Sequence, residues 1–81
     1  MRTLFDRITF DQSIMAGQAC IRGMRVTVSL ILNLVANGKT VAEIIEDYPY
    51  LELEDIRQSL LYAAWLAKEQ VYVWQHTEQA V

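Results

Sequence analysis

Cysteine, histidine, proline and glycine are all scarce in this chain of 81 residues, with one, one, one and three copies. Each scarcity excludes something. A single cysteine, Cys20, leaves no intrachain disulfide. Cys20 and His76 together fall short of the four ligands a structural zinc takes from one chain. With so little turn chemistry, residues 1–81 read as one domain without linker, repeat or low-complexity tract. No apolar run reaches the eighteen or so residues a membrane span needs. Asp6, Arg7 and Asp11 interrupt the opening segment before it resembles a signal sequence. A lone thiol suits a reducing compartment, so a cytoplasmic protein is expected.

Catalytic chemistry is as thin. There is no glycine-rich phosphate loop. Cys20 sits in an apolar, strand-like run where a thiol behaves as a small hydrophobe. His76 has no carboxylate or serine placed to work with it. Asp11, Glu43, Glu46 and Asp47 form no acid pair or metal cluster. The expectation is a binding protein rather than an enzyme, with no cofactor and no metal.

What is present is apolar surface and an uneven charge. The apolar fraction is 53%, enough to offset the entropy of ordering a chain. A core this small gains from self-association, so a homodimer is expected. Net charge is −3. Up to Lys39 five basic residues stand against two acids, and from Thr40 onward two against eight, so the halves carry +3 and −6. That asymmetry points to two surfaces with different partners, or to ordinary solvated charge.

Residues 1–28 read as extended chain with one or two short strand pairings. Ile8-Thr9-Phe10 and Val26-Thr27-Val28 are β-prone, and Arg22-Gly23-Met24-Arg25 is a tight connection with Gly23 free to take positive φ. Residues 28–68 read as three helices. The first runs from Val28 to about Asn37, capped by Thr27 or Ser29, with Gly38 just past its end. Thr40-Val41-Ala42-Glu43 is a capping box that opens a short second helix, and Pro49 forces it to stop near Tyr48. The third begins after Leu51, with Leu53, Ile56, Leu60, Ala63, Ala64 and Ala67 as its inward stripe. Residues 69–81 read as a strand-like tail, because Val71-Tyr72-Val73-Trp74 alternates. The whole is a mainly α, three-helix helix-turn-helix domain with a short N-terminal β element.

Two sets of residues are candidates for contact with other molecules. Arg22 and Arg25 flank Gly23 and form a basic tip suited to phosphate or to a partner's acidic site. The alternative is a hairpin whose arginines pair with Asp11 or with the acidic helices. Arg57 and Gln58 have base-reading chemistry, but Glu52, Glu54 and Asp55 in the same turn repel phosphate. Tyr62, Trp65, Tyr72 and Trp74 are hard to place in a small core and suit a protein interface. The alternative is that the chain's own N- and C-terminal segments cover them.

The order of these motifs resembles the bacterial and archaeal family known as domain of unknown function four-three-three. Ile8-Thr9-Phe10-Asp11 and Gly17-Gln18-Ala19-Cys20-Ile21-Arg22-Gly23-Met24-Arg25-Val26 carry the resemblance. So do Asn37-Gly38, Ile44-Ile45-Glu46-Asp47-Tyr48-Pro49-Tyr50-Leu51 and Leu60-Leu61-Tyr62-Ala63. The chain departs from the family pattern in having Gln18-Ala19 after Gly17, Met24 after Gly23, and Glu52. The resemblance implies a homeodomain-like fold and the role of an antitoxin whose partner is a small PIN-like ribonuclease toxin. The expected function is neutralisation of that toxin, with repression of its own promoter DNA as an added role. The alternative is a stand-alone helix-turn-helix regulator of transcription.

Overall fold

The computed structural model describes the backbone of residues 5–77 and the side chains of residues 5–68. Two short strands, β1 (Ile8–Thr9) and β2 (Cys20–Ile21), precede three helices, α1 (Val28–Ala36), α2 (Val41–Asp47) and α3 (Leu53–Thr77). The strands are antiparallel, with Ile8 opposite Ile21 and Thr9 opposite Cys20. The chain then doubles back, so that Cys20 also bridges Thr27. The turn between is closed by the Met24 amide donating to the Ile21 carbonyl at 2.8 Å. Its two central residues have positive φ, +47° at Arg22 and +72° at Gly23. That is the turn whose twist matches a hairpin. Gly23 takes the conformation without cost, whereas Arg22 needs compensation.

The helices begin and end where local chemistry dictates. Thr27 caps α1 by accepting a hydrogen bond from the Leu30 amide, and Thr40 caps α2 in a complete capping box with Glu43. Past the end of α1, Gly38 has φ +92°. Its amide donates to the Val35 carbonyl and the Lys39 amide to the Leu34 carbonyl. This pair of bonds satisfies the carbonyls a helix end leaves open.

The core is formed by Ile8, Ile21, Val26, Val28, Ile31, Ile44, Leu51 and Ile56, so every element contributes. Each such side chain taken out of water contributes roughly 1.5–3 kcal/mol. Cys20 is buried here as a free thiol.

Two readings of the third helix need correction. Residues 69–77, read as part of a strand-like tail, are helical. The backbone continues as α3 through Thr77, and the rest of that tail lies outside the described residues. An uninterrupted run of good helix formers, Ala63-Ala64-Trp65-Leu66-Ala67-Lys68, carries the helix onward, since propagation adds one hydrogen bond for each residue fixed. Four alternating residues without a breaker do not outweigh it. The inward stripe is also rotated. Ile56 is buried and Ala63 half-buried, but Leu53 (63% exposed), Leu60 (40%), Ala64 and Ala67 face outward. The inward face of the first two turns is Asp55, Ile56, Gln58 and Ser59.

Candidate functional site

The polar centre of the molecule is built on Asp55, whose side chain is fully buried. It occupies the first turn of α3, where a carboxylate answers both the open amides and the dipole. One oxygen accepts from the Glu52 amide at 2.8 Å. Two guanidinium groups from the β element complete its shell. Arg22 binds both carboxylate oxygens, through Nε at 3.1 Å and Nη2 at 2.7 Å, and Nη2 also donates to the Tyr50 carbonyl at 2.9 Å. Arg7 donates to Asp55 at 3.0 Å and to Glu52 at 2.6 Å. The bidentate fork is the strong form of this contact, and it holds Arg22 in its left-handed conformation.

Burial by itself would raise the Asp55 pKa. The hydrogen bonds from Arg22, from the Glu52 amide and from Arg7 outweigh it and hold the carboxyl below its ordinary range. Arg7 is pushed up by Glu52 and then by Asp55, and Arg22 by Asp55.

Gln58 belongs to the same staple. Its carbonyl accepts from the Arg7 amide at 3.0 Å, and its amide donates to Asp6 at 2.8 Å and Glu54 at 3.0 Å. It is nearly fully buried. Ser59, also buried, donates back to the Asp55 carbonyl. The N-terminal β element is thus tied to the start of α3 by charge and amide contacts.

The eight candidate residues therefore divide. Arg22 and Gln58 are brought together inside the staple, where their bonding groups are engaged. Arg57 is exposed and paired with Glu54 at 2.9 Å, one turn away. Arg25 is exposed at the end of the hairpin, apart from Arg22's ion pair. Tyr62 is half-buried, edge-on to Phe5 at 5.4 Å and near Phe10 at 6.2 Å. Trp65 stacks on Tyr62 at 6.2 Å but stays 48% exposed. Tyr72 and Trp74 lie in α3 by their backbone, and their side chains fall outside the described residues.

Beside this aromatic cluster, a groove of about 450 Å³ runs between α1 and α3, lined by Val28, Leu32, Tyr62, Ala63 and Leu66 among others. Phe10 (61% exposed) flanks the cluster on the other side. Phe10, Trp65 and Leu66 thus leave apolar surface exposed around the cluster. Among the described residues no group of three or more His, Cys, Asp or Glu could hold a metal ion, and no helix is long and apolar enough to cross a membrane.

Sequence reasoning missed Arg7 and Asp55 as partners. Two signals pointed to them. One was an acid at the third position of a helix. The other was a basic first half facing an acidic second half.

Such a molecule is a small three-helix protein with a β element fastened to its helix-turn-helix unit, its buried polar groups engaged in holding the fold. Residues 8–63, well over half of the chain, match the family described as protein of unknown function (DUF433), and the chain belongs to that family. No curated protein and no solved structure matches it.

Proposed function

We propose that this protein is the antitoxin of a type II toxin–antitoxin pair, acting in the cytoplasm as a homodimer that binds and neutralises a PIN-like ribonuclease. The observation that carries this reading is the exposed aromatic and aliphatic face of α3, where Trp65 is 48% exposed beside Leu66 and the groove along α1. A large aromatic anchored on its own chain at one edge and open at the other is the usual centre of a protein interface. The inhibitory contact is then hydrophobic and steric. A cationic contact rests on Arg25, because the Arg22 guanidinium is committed to Asp55.

Promoter binding is the weaker part of the proposal. Glu52 and Glu54 are at the start of α3, and Gln58 is buried. A DNA surface would have to draw on Arg25 and the hairpin.

Co-expression with the neighbouring reading frame, followed by pull-down and a growth assay, tests the reading. The wild-type chain is expected to co-purify with the neighbouring product and protect cells from it. Trp65→Ala is expected to abolish protection by a chain that stays folded, and Arg25→Glu to weaken it less. Failure of the wild-type chain to protect or co-purify would end the antitoxin reading.

A further inference from the structure

α3 has a second exposed stripe, on the side that borders α2. Leu53, Arg57, Leu60, Ala64 and Lys68 recur at spacings of three and four residues, which places them on one stripe. All five are exposed, and Leu61 (43%) lies beside them. In a helix packed on one side this stripe would be polar. Here its centre is leucine, and it opens into an almost wholly apolar groove of about 430 Å³ lined by Val41, Leu53, Ile56, Arg57, Leu60 and Leu61.

We propose that this stripe is where a second copy of the chain docks, α3 against α3 in antiparallel register, with Leu60 and Leu61 at the crossing point. The proposal rests on the homodimer part of the reading above and is independent of the toxin. Spacing and charge select this arrangement. A two-fold axis passing between Leu60 and Leu61 sets Leu60 against the partner subunit's Leu61, and the reverse. The same register sets bulky Arg57 against the partner's small Ala64. It also brings Lys68 to the partner's Leu53, whose neighbours Glu52 and Glu54 are acidic.

Along the stripe, Glu52 and Glu54 flank Leu53 at one end and Lys68 stands at the other, with Arg57 between them and paired to Glu54. An antiparallel pair therefore joins opposite charges. A parallel pair would stack Glu54 on Glu54, Arg57 on Arg57 and Lys68 on Lys68. An anionic membrane is not selected, because Leu53 at one end of the stripe stands between Glu52 and Glu54.

Sedimentation of the full chain over a micromolar range tests the surface, and cysteine cross-linking tests the direction. Wild type is expected to be dimeric. Leu60→Glu and Leu61→Glu are each expected to weaken the dimer at least 100-fold while the helical circular dichroism is kept. Leu60→Cys is expected to form an interchain disulfide on mild oxidation, and Lys68→Cys is not. The native thiol is buried and does not compete.

A dimeric wild type whose Leu60→Glu variant dimerises equally well would place the interface elsewhere, overturning this surface while the homodimer stands. A monomeric wild type would overturn both, and would leave toxin neutralisation to its own assay. Cross-linking through Lys68→Cys as readily as through Leu60→Cys would overturn the antiparallel register. Binding of a monomeric wild type to phosphatidylglycerol vesicles, lost in Leu60→Glu, would reassign the stripe to a lipid surface.

Discussion

The two halves of the described part of α3 invert the ordinary rule for a soluble helix. Its first two turns, Leu53 to Ser59, carry the polar residues, and there Asp55, Gln58 and Ser59 are buried. The next stretch, Leu60 to Lys68, is mostly apolar, and there Leu60, Leu61, Trp65 and Leu66 are at least 40% exposed. The reason is length and charge. A helix of 25 residues runs to about 37 Å, while α1 and α2 are too short to cover it. The basic β element anchors on the acids at its start. Polarity alone therefore does not say which part of a helix is inside. A buried carboxylate with two guanidinium partners holds its turn in the core, while Leu60 and Leu66 stay at the open edges of grooves that α2 and α1 only partly close.

The comparison can be broken most sharply at Ile56, the apolar residue fully buried in the anchored half. Ile56→Ala is expected to cost about 2–5 kcal/mol in urea unfolding, by lost transfer energy and the cavity left behind. In a domain this small that is much of the total stability. A cost below 1 kcal/mol would mean that this half is not packed as described.

Asp55→Asn comes next, at about 2–3 kcal/mol, set below the usual cost of breaking a buried pair because both arginines keep part of their surface in water. The same residue gives a pH signature. Its folded-state pKa is depressed. The stabilisation is therefore complete above the unfolded value of about 3.9 and is lost as pH falls through the folded one. Wild type is expected to lose stability on acidification below about pH 4, and Asp55→Asn to lose less over the same window. Parallel acid-unfolding curves for the two proteins would remove Asp55 from that account.

A smaller effect is expected at the start of α2, where Thr40→Ala should cost about 1 kcal/mol through loss of the cap. Smallest of all is Leu60→Gln in the exposed half. Measured where the chain is monomeric, it should change stability by no more than about 0.5 kcal/mol. A cost comparable to that of Ile56→Ala would show that the two halves are alike after all.

Much of the architecture was legible from residues acting on their neighbours. The Thr40–Glu43 box, the stop before Pro49, the end of α1 at Gly38 and the hairpin turn at Gly23 all form where their chemistry placed them. Periodicity did worse in α3. Counting leucines and alanines put Leu53 and Leu60 inside, because they outnumber the polar residues of the opposite face. The alternation at 71–74 imitated a strand. At the candidate site, the aromatic character of Tyr62 and Trp65 was visible, but not that Phe5 and Phe10 would both pack on Tyr62 while Trp65, met by Phe5, stays 48% exposed.

The sequence by itself determined the elements, their caps and their order, since these depend on contacts within a few residues. It also determined the family, through motifs spread over residues 8–63. Only the tertiary structure decided which charges are spent. Arg22 and Asp55 are 33 residues apart, and Arg7 and Asp55 are 48. Nothing local tells such a pair that it will meet. Arg22 and Arg25 stand three residues apart in a +3 half of the chain and looked equivalent. The fold gave one a buried carboxylate and left the other in solvent, because only one of them points along the hairpin toward the first turn of α3.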